Sequence, residues 1–161
     1  MQTSFADIDE SFPRLPAYMA GVPTGDGPLF VRRLIYGAGH RDLCIEDPTW
    51  QQIIAAVSDL DGLHDVRLEG QDFYPYLVVC GGKESKYMVA YSTNNAAYYL
   101  FDPHCRSQET FSISIGGQAA KYEADLCMNR ETAMQAIWEF AQQGTRSSSV
   151  RWIDHKDDIC E

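Results

Sequence analysis

The FDPHCR stretch holds the residue types of a cysteine hydrolase: the carboxylate of Asp102, the imidazole of His104 and the thiol of Cys105. Neighbouring side chains of an extended chain point to opposite faces, so His104 is badly placed to activate Cys105. A distant cysteine, Cys44 or Cys127, could serve only if the fold brought it near. The Asp-Pro pair more simply predicts a turn after a strand. We therefore predict no catalytic residue and no enzyme, and keep a Cys/His hydrolase as the alternative.

Two glycine pairs follow strand-like segments and raise the question of a phosphate-binding loop. Gly81 and Gly82 follow YLVVC, and Gly116 and Gly117 follow SISI. A P-loop requires G-x-x-x-x-G-K-[S/T] before a helix, but Leu77 stands where the first glycine should be. Neither pair has the third glycine of a dinucleotide fingerprint. Both pairs therefore predict tight turns or bulges between antiparallel strands.

The cysteines show no Cys-x-x-Cys spacing, and their odd number argues against a fully paired disulfide framework. They are Cys44, Cys80, Cys105, Cys127 and Cys160. No ligand pair has the usual metal-binding spacing. We therefore predict neither a metal site nor a cofactor.

Length and hydrophobicity indicate one globular domain. The chain has 161 residues, of which 45% are hydrophobic and 22% charged. No apolar run approaches the roughly 20 residues of a membrane span. The N-terminal segment has acidic residues and no basic residue before Arg14, so it lacks the basic start of a secretory signal. These features predict a cytoplasmic protein without a membrane partner.

The charge balance is strongly acidic. Thirteen Lys and Arg face 23 Asp and Glu, giving a formal net charge of -10. Phosphates would be repelled, so direct binding of nucleic acid is disfavoured. A basic protein partner would be attracted, since complementary fields steer association. Plain solubility is the alternative explanation.

Two amphipathic helices are predicted. The first is capped by Asp47, carries Pro48 in its first turn and ends at Gly62. Its apolar stripe has helical spacing and consists of Trp50, Ile53, Ile54, Val57 and Leu60. The second helix starts near Asn129 and stops at Gly144.

Strand patterns fill most of the remaining chain. HDVRLEG, YLVVC, KYMVAYS, AYYLFD and TFSISI lie between the helices, LFVRRLIYG precedes them and VRW follows. Short links predict an antiparallel meander of about five to seven strands packed by two main helices, which is an α+β fold. We expect residues 1–45 to form an N-terminal arm with one strand and residues 46–161 to form the main α+β domain, together one compact unit.

Acidic residues cluster beside aromatic residues in several predicted loops. This combination suits a tight interface with a basic protein, because aromatic side chains anchor binding hot spots and charge speeds encounter. A solvated rim with the aromatics folded beneath it is the alternative. The candidate partner-binding residues are Asp61, Glu69, Asp72, Phe73, Tyr74, Tyr122 and Glu123.

Four segments and a closing VRW occur in an ordered set between residues 50 and 153. The segments are IIAAVSDLDGLHDVRLEG, YLVVCGGKESKYMVAY, SISIGGQAAKYEADL and ETAMQAIWEFAQQG. The set resembles the first-numbered (Imm-one type) immunity protein family of bacterial polymorphic toxin systems. The matching residues are Leu60, Asp61, Gly62, Gly81, Gly82, Gly116, Gly117, Gln118, Phe140, Gly144 and Trp152.

The resemblance implies a small cytosolic antidote without catalytic activity. Such a protein binds the C-terminal domain of a toxin encoded beside it and covers the active site. For this family the toxin is often a nucleic-acid base deaminase, with a nuclease as the alternative. The matched residues are mainly glycines and core residues, so they indicate the fold and not the contact surface. An acidic binding module for another basic protein remains a further alternative.

Overall fold

A computed structural model of the protein describes residues 29–37, 43–115 and 118–154. The strands are β1 (Arg33–Gly37), β2 (Leu43–Glu46), β3 (Asp65–Glu69), β4 (Tyr76–Gly81), β5 (Tyr87–Ser92), β6 (Ala97–Phe101), β7 (Thr110–Ile115), β8 (Gln118–Glu123) and β9 (Arg151–Asp154). The helices are α1 (Trp50–Ser58) and α2 (Arg130–Gln143), and short 3-10 turns occupy Lys83–Ser85 and Ala124–Leu126.

The described strands form a seven-stranded antiparallel sheet and a separate two-stranded hairpin. The order in the sheet is β2-β1-β3-β4-β5-β6-β9, and β7 pairs with β8. Both helices pack against one face of the sheet, where Trp50 of α1 and Phe140 of α2 are fully buried among apolar strand residues. The α+β prediction, with an antiparallel sheet and two main helices, is confirmed.

The strand predicted before the first helix lies inside this sheet. It is β1, which pairs with β2 on one side and β3 on the other. Residues 1–28 lie outside the described residues, so the boundary at residue 45 stays a prediction. Among the described residues, no helix is long and apolar enough to cross a membrane.

The predicted cap of the first helix is wrong. Thr49 is the N-cap: its hydroxyl accepts the Gln52 N–H at 3.1 Å, and the Gln52 side chain accepts the Thr49 N–H at 2.9 Å. Asp47 instead has a φ of 50° and pairs with Arg32. The helix ends at Ser58, before the predicted stop. The second helix begins and ends as predicted, with Asn129 as its N-cap and Gly144 in the left-handed region as its C-cap.

Replacing Thr49 by alanine is expected to lower the free energy of unfolding by about 1 kcal/mol, because the Gln52 N–H loses the hydroxyl that accepts its hydrogen bond at the start of the helix. Urea denaturation of Thr49→Ala against the wild type measures the change. Thr49→Ser is the control, because serine keeps the hydroxyl. A loss shared equally by the serine variant would contradict the capping account.

The first glycine pair forms a turn, as predicted. Gly81 and Gly82 join β4 to β5 with φ values of 101° and 96°. The Gly62 N–H donates to the Gly81 carbonyl at 2.7 Å, and the Gly62 carbonyl accepts the Ser114 N–H at 3.2 Å. The loop after α1, the β4–β5 turn and β7 therefore meet at one corner. Gly116 and Gly117 lie outside the described residues.

Candidate partner-binding surface

The loop between β3 and β4 presents three of the predicted contact residues together. Phe73 is 49% exposed and Tyr74 is 42% exposed. Their rings meet edge to face at 4.7 Å, and Tyr76 stacks on Tyr74 at 5.6 Å. We call Phe73, Tyr74 and Tyr76 the aromatic cluster. Asp72 is exposed beside it, so acid and aromatic groups do share this loop.

Glu69 lies beneath this surface. Its side chain is only 4% exposed. One carboxylate oxygen accepts both Nε and Nη2 of Arg33, at 2.9 and 2.6 Å, and the other pairs with Nε of Arg67 at 3.1 Å. The hydrogen bond and charge of Glu69 raise the pKa of Arg33. The carboxylate is therefore engaged within the protein and is not presented to a partner.

The ion pairs extend to the aromatic cluster through Arg67. Its guanidinium lies 5.8 Å from the Phe73 ring centroid and 5.5 Å from that of Tyr76. A cation above the face of an aromatic ring is attracted by the negative electrostatic potential of that face. Arg67 thus lies between the buried carboxylate of Glu69 and the rings of Phe73 and Tyr76. The sequence analysis missed Arg33 and Arg67, and the only local signal was their outward place in the alternating patterns of two strands.

Asp61 lies at the other end of β3 from the aromatic cluster. Its carboxylate accepts the N–H groups of Leu63 and His64 at 2.9 and 3.2 Å and contacts His64 Nδ1 at 3.0 Å. Burial opposes ionisation of Asp61, but these hydrogen bonds outweigh it and lower its pKa. A five-residue strand spans about 16 Å, so Asp61 and the aromatic cluster form separate patches.

Tyr122 and Glu123 lie in a third place, on β8. Tyr122 packs against the smaller apolar cluster between the hairpin and the sheet, whereas the Glu123 side chain is exposed. The structure therefore brings Asp72, Phe73 and Tyr74 together and separates the other predicted contacts from them. Their binding of a partner stays a prediction.

The residues of the alternative hydrolase line a cleft of about 600 Å³. His104, Cys105 and Cys127 all face it. The Asp102 carboxylate, however, accepts the backbone N–H of His104 at 3.0 Å, as in a simple turn. Among the described residues, no hydrogen bond joins the His104 ring to either thiol. The fold thus places Cys127 on the same cleft as His104, and the described hydrogen bond of its thiol goes to the Glu123 carbonyl.

Burial further disfavours Cys127 as a nucleophile, because it raises the pKa of the thiol from 9.0 to about 11. The thiol donates to the Glu123 carbonyl at 3.5 Å. Since only the thiolate reacts, the protonated thiol is nearly inert at neutral pH.

Alkylation of Cys127 by iodoacetamide at pH 8 is expected to be at least about 100-fold slower in the folded protein than in urea, because the raised pKa lowers the thiolate fraction by that factor. Mass spectrometry of peptides over time measures the rate. The exposed Cys44 serves as the internal control for reagent activity. Equal rates for Cys127 in both states would contradict the expected burial.

Among the described residues, no group of three or more His, Cys, Asp or Glu side chains could hold a metal ion.

No curated protein matches the chain. Residues 45–154 match the family described as immunity protein Imm1. This match covers more than half of the 161 residues, and it includes every strand of the sheet from β3 onward and both helices. The chain therefore belongs to the Imm1 immunity protein family.

Proposed function

We propose that this protein is an antitoxin that binds the C-terminal domain of a cognate toxin and neutralises it by covering its active site. Membership of the Imm1 family carries the proposal, because an immunity protein implies a toxin partner. We further propose that the toxin is a nucleic-acid base deaminase, with a nuclease as the second candidate. The complex would form in the cytoplasm of the producing cell.

The aromatic cluster supports a contact at the β3–β4 loop. Phe73 and Tyr74 expose large rings whose positions are fixed by each other and by Tyr76. Rings held in place before binding lose little conformational freedom in the complex, which favours affinity. Aromatic side chains are also the commonest anchors of protein interfaces.

The acidic charge supports a basic partner. A toxin that acts on nucleic acid needs positive charge along the path of the phosphates. The net charge of -10 would attract such a protein and speed its capture. Asp72, the residue before Phe73, is exposed and adds a carboxylate to the same loop. We propose Asp72, Phe73 and Tyr74 as the primary contact, with Asp61, Tyr122 and Glu123 as further contacts on separate patches.

Co-expression with the toxin domain encoded immediately upstream tests the function. The tagged complex would be purified, and base deamination would be measured on single- and double-stranded DNA and on RNA. Co-purification with deamination suppressed is the expected result. Suppression of nuclease activity instead would keep the antitoxin role and change the toxin class. Failure to form a complex would overturn the proposal.

A further inference from the structure

The second face of the seven-stranded sheet carries a row of partly exposed residues. This outer face points away from α1 and α2. Along each strand, the side chains that pack against the helices alternate with the side chains on this outer face. Register across β1, β3, β4, β5 and β6 aligns Ile35, Arg67, Val78, Ala90 and Tyr99 in one row. All five are of intermediate exposure.

Ile35 and Val78 are unusual in this row because they are apolar and β-branched. Neither belongs to or packs against the two apolar clusters formed by the described residues. Antiparallel sheets with one solvated face normally carry polar residues there. Apolar side chains on an otherwise solvated face mark an interaction site when they continue into a larger patch.

The row does continue into a larger patch. On one side, Tyr76 precedes Val78 on the same face of β4 and joins the row to the exposed rings of Phe73 and Tyr74. On the other side, Ile113 of β7 packs over the outward side chains of β4 and β5, so the hairpin covers that end of the face. The part of the face that no other described element covers thus lies between the hairpin and the aromatic cluster.

The charges around the row favour a basic occupant. On the outer face of β1 to β3 and in the adjoining loop, two arginines face four carboxylates. The arginines are Arg33 and Arg67, and the carboxylates are Glu46, Asp65, Glu69 and Asp72. Glu69 forms ion pairs with both arginines, and the side chains of Glu46 and Asp72 are exposed to solvent at the margin of the face. A second copy of this chain would bring acid against acid and is disfavoured by its charge of -10.

We propose that the outer face from Ile35 to Ala90 extends the primary contact at the aromatic cluster into a docking floor for the basic toxin domain. The toxin places apolar side chains against Val78 and Ala90 and its cations against the exposed carboxylates of Glu46 and Asp72. This inference rests on the antitoxin function and specifies where the partner lies.

Arginine introduced onto the floor tests the inference. Val78→Arg puts a long cation against a basic partner and is expected to weaken binding of the toxin domain by about 100-fold. Ser92→Arg places the same cation on the same face, at the end of β5 and opposite Tyr76, and is also expected to weaken binding of the toxin domain. Gln135→Arg, at an exposed position of α2, makes the same charge change elsewhere and is expected to bind within threefold of the wild type.

Calorimetric titration of each purified variant with the toxin domain measures affinity, and thermal melting confirms that each is folded. Folded Val78→Arg and Ser92→Arg that bind like the wild type would overturn the docking floor while leaving the antitoxin function intact. The same binding with a lowered melting temperature would also overturn it, since another part of this chain would then cover the face. Failure of the wild type to bind would overturn the function and the floor together.

Discussion

Replacing Phe73 and Tyr74 together by alanine is expected to weaken binding of the toxin domain by about 1,000-fold. Buried aromatic anchors commonly lose 2 kcal/mol or more each on truncation, and each 1.4 kcal/mol corresponds to a tenfold change in affinity. Both rings are about half exposed in the free protein and contact each other, so a partner could bury them with little rearrangement. Competition binding with the purified double variant measures the loss.

Leu63→Ala is the matched control for this double variant. Leu63 is 63% exposed and lies beyond the opposite end of β3, so its truncation removes exposed apolar surface without touching the aromatic cluster. Affinity is expected to change less than about threefold, because Leu63 adjoins the secondary contact at Asp61 and only its backbone N–H, which alanine keeps, binds that carboxylate. Unchanged binding of the double variant, with a large loss for Leu63→Ala, would place the interface at the Asp61 patch instead.

Replacing Gly82 by alanine is expected to lower the free energy of unfolding by at least about 2 kcal/mol. The φ of 96° is strained for any residue with a Cβ, and that Cβ would also collide with the Leu60 carbonyl. Repulsion at this point separates the β4–β5 turn from the loop after α1. Urea denaturation measures the change.

Gly62→Ala separates the two causes of this loss. Gly62 has a similar φ of 90°, but among the described residues a Cβ there would meet only the Lys83 side chain, at 3.3 Å. Its substitution therefore carries the backbone strain without collision against a backbone group, and the loss is expected to be smaller than for Gly82→Ala. Equal losses for both variants would show that the contact with Leu60 contributes nothing.

The contacts between the loop after α1, the β4–β5 turn and β7 explain why the family motifs indicate the fold. Leu60 and Gly62 of the first motif contact Gly81 and Gly82 of the second, and Gly62 also binds the backbone of Ser114 in the third. These are backbone contacts in the interior of the fold. The motifs consequently indicate the architecture, whereas the contact surface depends on residues outside them.

Sequence patterns predicted the ends of a helix correctly where a single short-range interaction determines them. Asn129 and Gly144 act within their own helix turn, so residue type and spacing were sufficient. At the first helix, Asp47 and Thr49 both had capping side chains, and the reciprocal bond with Gln52 selected Thr49.

The role of Glu69 could not be predicted in the same way. It lies on the outward side of an alternating strand, which normally means exposure, but Arg33 and Arg67 enclose its carboxylate. Arg33 is 36 residues away in the chain and becomes a neighbour only through β1–β3 pairing. The proposed docking floor likewise depends on the register of four strands.

Titration of the toxin domain with this protein tests the central proposal most directly. A fixed amount of toxin domain would receive increasing amounts of the chain while its activity on nucleic acid is followed. The antitoxin account expects activity to fall linearly and vanish at one equivalent, with no consumption of the inhibitor. Full activity with the protein in excess would contradict it.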